Sequence, residues 1–237
     1  MRKFSALGKA DPQAADLVNG LSGLKDDPAK YRNQMFLIGN HLADAVLPHL
    51  RNVKSQICVF CTVEDADFLA RGLIERLEQQ GLAERIRLIC LWNGKIKEEG
   101  VSLSPILREY KETIAAERTD FIIVKSIISG ACVVKTNLTR AISVVKPSRI
   151  FVAAPVMLSG AEGRLAHEFP SDISQRFEFI HFADDTEKNG DDVIPGIGGS
   201  VYELLGLGNS VTKNHYVPKL VKERRSKYFG AADLAVA

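Results

Sequence analysis

Residues 120–134 read DFIIVKSIISGACVV, which is an apolar run, a turn of small residues and the start of a helical pattern. The turn consists of Ser129, Gly130, Ala131 and Cys132. A strand that leads through such a turn into a helix is how α/β proteins bind phosphate, because free backbone N–H groups and the positive end of the helix dipole converge there. The stretch therefore indicates an α/β fold and makes residues 129–132 a candidate phosphate-binding turn.

Apolar runs typical of β-strands alternate with helical patterns on both sides of this stretch. The predicted strands are QICVFCTV (56–63), RIRLICLW (85–92), DFIIV (120–124), RIFVAAPVM (149–157) and FEFIHFA (177–183). The predicted helices cover residues 28–50, 64–81, 105–117, 133–146 and 161–170. Strands separated by helices of this length form βαβ units, so we predict a single α/β domain with a central, mostly parallel sheet flanked by helices.

The two ends of the chain lie outside this pattern. Residues 1–28 mix Gly, Ala, Asp and Lys with weak periodicity, which predicts an N-terminal arm that is loose or docked on a partner. The α/β domain then covers residues 29–210. Residues 211–237 form a basic C-terminal tail, in which Tyr228 and Phe229 are interleaved with cations. Such a tail contacts a nucleic-acid backbone or presents a solvated helix face, and the second interpretation is favoured.

Composition restricts the class of protein. The 237 residues are 46% hydrophobic and 25% charged, with a formal net charge of +2, which identifies no partner. Four cysteines and the absence of an apolar run of about 18 residues predict a reduced, cytoplasmic protein with no membrane partner. Cys58 and Cys61 form a CxxC, but residues three apart on a strand point to opposite faces, so we predict buried structural cysteines and no metal site.

Ligands of parallel sheets bind at the carboxyl ends of the strands. The loops to inspect therefore begin at Thr62, Asn93, Lys125, Pro155 and Asp184. The first loop carries the acids Glu64, Asp65 and Asp67, which either begin a helix capped by Thr62 or Asp65, or act as nucleophile or base on a glycosidic bond. Lys125 either adds a cation to a phosphate site, reaches an acid such as Asp184, or faces solvent.

The segment DDTEKNGDDVIPGIGGSVYELLG (184–206), together with VAAPVMLSGAEGRLAHEFP (152–170) and the stretch 121–134, resembles the uracil phosphoribosyltransferases, which have the type I phosphoribosyltransferase fold. The resemblance spans residues 29–208, and PGIG (195–198) is its most specific part. It implies that residues 129–132 hold the 5′-phosphate of phosphoribosyl pyrophosphate, and that Ile197, Gly198 and Gly199 contact the base. It also implies Mg²⁺ as a cofactor and a homodimer formed through residues 35–47 and the loop after Asn93.

The chain departs from the family pattern at each of its functional loops. The ribose-binding acids fall on Val124, Lys125 or Ser126, the diphosphate loop is acidic, and the acids that complete the base site are missing after PGIG. We therefore expect a diverged protein that binds a nucleotide, a phosphorylated sugar, nucleic acid or a protein partner, as a regulatory or defence accessory subunit with little turnover. The alternatives are an active pyrimidine phosphoribosyltransferase that makes UMP and a glycosidic-bond enzyme that uses the three acids.

Overall fold

A computed structural model of the chain describes residues 1–51, 53–98, 101–115, 118–143, 145–190 and 192–229. Within these residues, eight strands form the main sheet and four form two small hairpins. The strands are β1 (Arg2–Phe4), β2 (Gln56–Thr62), β3 (Ile86–Asn93), β4 (Ile96–Glu98), β5 (Val101–Leu103), β6 (Ile106–Lys111), β7 (Thr119–Val124), β8 (Ile127–Ile128), β9 (Ile150–Leu158), β10 (Phe177–Asp185), β11 (Glu187–Asn189) and β12 (Asp192–Ile194).

The helices alternate with the central strands. They are α1 (Ala6–Ala10), α2 (Pro12–Gly20), α3 (Pro28–Leu50), α4 (Val63–Asp65), α5 (Arg71–Leu77), α6 (Cys132–Ile142), α7 (Ala161–His167), α8 (Ser171–Ser174), α9 (Val201–Leu204) and α10 (Lys219–Phe229). Turns of π-helix at Ala66–Ala70 and Glu78–Leu82 extend α4 and α5, and 3-10 turns cover Leu21–Leu24, Ala83–Arg85 and Thr212–His215. No helix among the described residues is long and apolar enough to cross a bilayer.

The main sheet has the strand order β1-β10-β9-β7-β2-β3-β6, and the short β8 pairs with β9 just beyond the end of β7. The five central strands are parallel, whereas β1 and β6 are antiparallel edge strands. Every residue of β7 is buried, and so are nearly all residues of β2, β3 and β9. Strands that are buried on both faces belong to a parallel sheet covered by helices, which confirms the predicted single α/β domain.

The two faces of the sheet have separate cores. Helices α3 and α5 cover one face, and α6, α7 and α8 cover the other. Cys61 packs in the first core and Cys58 in the second, as predicted for a CxxC on a strand. Helix α3 passes very close to α5, because a Cβ on Gly39 would lie 2.2 Å from the carbonyl oxygen of Leu69.

Residues 1–28, predicted to be loose or docked on a partner, pack in part on the domain of their own chain. Strand β1 pairs with β10, and the hydroxyl of Ser5 accepts a hydrogen bond from the N–H of Gly8 to cap α1. Ala14 and Val18 of α2 are buried in the first core. Each of these elements is short and buries few side chains, which explains why the sequence shows weak periodicity there.

The sequence predicts a helix over residues 105–117, but Ile106–Lys111 of this segment form β6 against the edge of β3, and residues 116 and 117 lie outside the described residues. The pairing ends at Glu112, whose backbone N–H donates to the Leu88 carbonyl at 3.1 Å and whose carboxylate accepts from the Leu88 N–H at 2.9 Å. The exposed edge of β3 therefore overrides the local helical pattern of PILREYK, as tertiary context commonly does.

The basic tail is in part a docked helix. Arg224 of α10 is 6% exposed and makes a two-pronged ion pair with Glu112, at 2.7 Å and 2.9 Å. The side chains of Lys219, Lys222 and Lys227 are exposed on the other side of α10, as expected for a solvated helix face. Residues 230–237 of the predicted tail lie outside the described residues.

Candidate functional site

A cleft of about 380 Å³ opens at the carboxyl ends of the neighbouring strands β2 and β7. The chain leaves β2 toward the face covered by α5 and leaves β7 toward the face covered by α6. The strand order therefore reverses between β2 and β7. Ligands of open parallel sheets bind at such a point. The predicted site residues on its wall are Glu64, Lys125, Ser129, Gly130, Ala131, Cys132, Ile197 and Gly199. Tertiary folding thus brings three distant loops to one cleft.

The turn at residues 129–132 lies between β8 and helix α6. Ala131 is the N-cap residue of α6, and the described residues provide no side-chain cap for this helix. The N–H groups of a first helical turn have no acceptor within the helix, and Cys132, Val133 and Val134 of that turn line the cleft. Gly130 is exposed, and a Cβ there would have open space around it. The turn therefore presents an anion-binding helix end to the cleft.

Lys125 pairs with the acidic loop that follows β2. Its Nζ donates to Asp65 Oδ2 at 2.9 Å and to Glu64 Oε1 at 3.1 Å. Of the three alternatives for Lys125, contact with an acid is the one observed, but the acids are Glu64 and Asp65, whereas the Asp184 carboxylate lies 3.1 Å from Nε2 of His181. Burial lowers the pKa of Lys125, but the two carboxylates outweigh burial and raise the pKa above its usual range. Lys125 is therefore a charged, half-buried ammonium and does not face solvent freely.

Glu64 is held by a second ammonium group that the sequence did not reveal. Lys213, in the 3-10 turn near the C-terminus, donates to Glu64 Oε2 at 3.2 Å and to the Asn93 carbonyl at 3.1 Å. Burial raises the pKa of Glu64, but Lys125 and Lys213 together lower it to about 2. Glu64 is therefore a carboxylate held between two cations on the cleft wall.

Asp65 links the β2 loop to the β7 loop from behind the cleft. It is 1% exposed, and its oxygens accept hydrogen bonds from the Thr62 hydroxyl at 2.8 Å and the Ser126 N–H at 3.2 Å. Burial raises the pKa of Asp65, and Lys125 opposes that shift. Helix α4 begins at Val63, so the interpretation of these acids as a helix start is confirmed. Thr62 and Asp65 both take N-cap positions, but neither side chain caps a helix. The Thr62 hydroxyl donates to Asp65 instead.

Asp67 caps a different helix. Its carboxylate accepts hydrogen bonds from the backbone N–H groups of Lys219 and Leu220, both at 2.7 Å, and from the Tyr216 hydroxyl. These contacts direct its oxygens at the start of α10, and this geometry favours a structural role over the predicted nucleophile or base.

Asp185, the last residue of β10, holds the PGIG loop (195–198) in place. The N–H of Gly196 donates to Asp185 at 2.8 Å, and Arg2 of β1 pairs with the same carboxylate at 2.8 Å. Among the predicted base-binding residues, Ile197 is buried and its carbonyl accepts from Tyr31 at 2.9 Å. The N–H of Gly198 donates to the carbonyl of residue 195, so it is not free for a base, whereas Gly199 lines the cleft.

Two buried hydroxyl groups on the cleft wall have no hydrogen-bond partner among the described residues. They are the Oγ atoms of Ser126, which is fully buried, and of Ser200. Leaving a buried hydroxyl unpaired costs free energy, so such groups mark positions at which a polar ligand group fits.

The donor set does not fit the Mg²⁺ that the family resemblance implies. Oxygen ligands of Mg²⁺ are carboxylates with free lone pairs, but Glu64 and Asp65 are already paired with ammonium groups. Among the described residues, no three His, Cys, Asp or Glu side chains form a group that could hold a metal ion.

No protein-family model and no curated protein matches the sequence. Among solved structures, AQ2163 protein from Aquifex aeolicus is similar with a TM-score of 0.62 and 14% identity, over 81% of this chain and 94% of that one. Hypoxanthine-guanine phosphoribosyl transferase from L. donovani has a TM-score of 0.40 and 14% identity, over 62% of this chain and 78% of that one. Adenine phosphoribosyltransferase from Thermoanaerobacter pseudethanolicus has a TM-score of 0.39 and 13% identity, over 61% and 78%. At such identities the first likeness shows the fold alone: one α/β domain with a central, mostly parallel sheet flanked by helices.

Proposed function

We propose that the cleft binds a nucleotide or a phosphorylated sugar, with the phosphate seated on residues 129–132. The observation that carries the proposal is the uncapped start of α6 on the wall of a cleft of about 380 Å³. Lys95, Lys125, Lys188 and Lys213 line the same cleft, so its four cations outnumber the carboxylates of Glu64 and Asp192. A helix end, a positive wall and unpaired hydroxyl groups together suit a phosphate on a polar ligand.

We further propose that this ligand is bound with little or no phosphoribosyl transfer. Transfer from phosphoribosyl pyrophosphate needs negative charge near the ribose and positive charge near the diphosphate, because charge of opposite sign develops at each place. Here the ammonium of Lys125 follows β7, where the family pattern has its ribose-binding acids. The carboxylate of Glu64 follows β2, where the family pattern has its diphosphate loop, and the two charges neutralise each other. The proposal is a diverged relative of the uracil phosphoribosyltransferases that serves as a nucleotide-linked regulatory or defence accessory subunit.

Gly130 offers a sharp test of the phosphate position. A Cβ at Gly130 would have no neighbouring atom within 4 Å, and the residue is exposed, so Gly130→Asp and Gly130→Asn are both expected to fold. The aspartate places a negative charge at the start of α6, whereas asparagine has the same shape and no charge. Calorimetry with UMP is expected to show at least about tenfold weaker binding for the aspartate variant and an affinity near that of the wild type for asparagine.

Three outcomes contradict the proposal. Absence of UMP binding to the wild-type chain, or equal binding by the two Gly130 variants, excludes a phosphate at this turn. Rapid formation of UMP from uracil and phosphoribosyl pyrophosphate excludes the diverged interpretation in favour of an active pyrimidine phosphoribosyltransferase.

Homodimerisation stays a prediction. Helix α3 buries Met35, Ile38 and Leu42 in the core of its own chain, and Leu37 is a half-exposed apolar residue on its outer side. In the loop after Asn93, residues 99 and 100 lie outside the described residues. Light scattering at micromolar concentration tests the prediction, since a monomer mass contradicts it.

A further inference from the structure

The carboxylate of Glu64 lies between two ammonium groups on the cleft wall. One oxygen lies 3.1 Å from Lys125 Nζ and the other 3.2 Å from Lys213 Nζ. All three side chains line the cleft, and all are at most 13% exposed. Two converging ammonium groups on a cleft wall form a site for an oxyanion, and in this chain a side chain of the protein fills it.

The two lysines have other partners that hold them in place. Lys213 also donates to the Asn93 carbonyl at 3.1 Å and to Asn214 Oδ1 at 3.2 Å. Lys125 also donates to Asp65 at 2.9 Å. The ammonium pair therefore remains oriented when the carboxylate of Glu64 turns away.

The surroundings add a further polar group for a ligand. The hydroxyl of Ser126 is fully buried in the cleft wall, directly after Lys125, and has no partner among the described residues. A phosphate oxygen accepts hydrogen bonds from hydroxyl and ammonium groups alike, whereas the Glu64 carboxylate leaves this hydroxyl unpaired.

We propose that Glu64 is a built-in competitor of the ligand: its carboxylate occupies a second oxyanion site between Lys125 and Lys213, and an anionic group of the ligand enters that site when the carboxylate swings out. The inference rests on the proposed function, because it concerns the same cleft. It makes Glu64 an autoinhibitory contact: the affinity for an oxyanion is reduced by the free energy needed to displace the carboxylate from two cations.

The test is calorimetry with inorganic pyrophosphate at low ionic strength. Glu64→Gln removes the competing charge and keeps the side-chain shape, so we expect the dissociation constant to fall by about tenfold or more. Glu84→Gln is the matched control, because Glu84 is exposed just before β3, at the opposite end of the sheet from the cleft. If Glu64→Gln binds pyrophosphate as weakly as the control, or more weakly than the wild type, Glu64 orients the lysines and the inference is wrong.

A second pair of variants covers the case in which Glu64→Gln fails to fold because Lys213 loses its counter-charge. The pair consists of Lys213→Met and the double variant Glu64→Gln with Lys213→Met. Both lack the buried ammonium of Lys213, and they differ only in the charge at position 64. Tighter pyrophosphate binding by the double variant supports the inference, and equal binding overturns it.

The outcomes for the two sites are separable. If the Gly130 variants bind UMP equally while Glu64→Gln binds pyrophosphate more tightly, the proposed phosphate turn fails and the competitor survives. If instead Gly130→Asp binds UMP more weakly than Gly130→Asn while Glu64→Gln does not bind pyrophosphate more tightly, the proposed function is supported and the inference about Glu64 is wrong.

Discussion

Replacing Asp67 with alanine is expected to loosen the C-terminal helix from the body of the protein. The carboxylate is 9% exposed and accepts hydrogen bonds from two backbone N–H groups of α10 and from the Tyr216 hydroxyl. Truncation leaves these donors unpaired at a cost of about 1–3 kcal/mol each, and water at the freed helix end recovers part of it. We therefore expect a loss of about 3–5 kcal/mol in the free energy of unfolding, a large share of the stability of an ordinary domain.

The single tryptophan provides the assay. Trp92 donates its indole N–H to the Tyr216 carbonyl at 2.9 Å, so its fluorescence reports whether the C-terminal segment is docked. Urea titration of Asp67→Ala is expected to show an early fluorescence change before the loss of secondary structure. Asp67→Asn keeps one acceptor oxygen and is expected to lose about half as much stability as the alanine variant.

A loss below about 1 kcal/mol for Asp67→Ala refutes the capping argument, because surface substitutions stay near that size. A variant of unchanged stability that loses an enzymatic activity of the wild type restores Asp67 as a catalytic residue. The two results separate a structural carboxylate from a nucleophile.

Three further predictions concern packing, acid and charge. Gly39→Ala is expected to cost about 1–3 kcal/mol in a urea titration, because its Cβ would meet the Leu69 carbonyl at 2.2 Å; equal stability contradicts the close helix crossing. The pKa of Glu64 is lowered from 4.5 to about 2, so its contribution to the free energy of unfolding, about 3 kcal/mol, is present above pH 4.5 and is lost as the pH falls toward 2. The free energy of unfolding of Glu64→Gln is therefore expected to depend less on pH over this range than that of the wild type. Arg224→Met removes the counter-charge of the buried Glu112 carboxylate, which keeps hydrogen bonds from the Leu88 N–H and the Tyr110 hydroxyl, and is expected to cost about 3–5 kcal/mol, which an unchanged melting temperature contradicts.

Local pattern was sufficient to predict the parallel core. The runs that became β2, β3, β7 and β9 are continuous and apolar, and such runs have few alternatives to a buried strand. The stretch 120–134 also indicated the turn before α6, because a small-residue turn after a strand is a local feature. The loops expected to begin at Pro155 and Asp184 instead continue as strand to Leu158 and Asp185, since pairing between β9 and β10 extends there.

Two segments were predicted wrongly from local pattern because contacts outside each segment decide their structure. PILREYK has a helical pattern, yet the open edge of β3 makes it a strand. The first residues have no clear period, yet Arg2 reaches a carboxylate 183 positions away. In both cases the stabilising partner, which is β3 for the first segment and Asp185 for Arg2, lies outside the segment whose pattern is read.

The sequence by itself determined the α/β class, the central strands and the turn before α6, because strand and helix periodicity depend on neighbours along the chain. Only the tertiary structure decided the charge of the cleft. Glu64 meets Lys125 across 61 positions and Lys213 across 149, and this arrangement converts an acidic loop and an isolated lysine into a neutralised cluster. The energy of a charge pair depends on the distance between the two groups and on their burial, and neither quantity is a property of sequence separation.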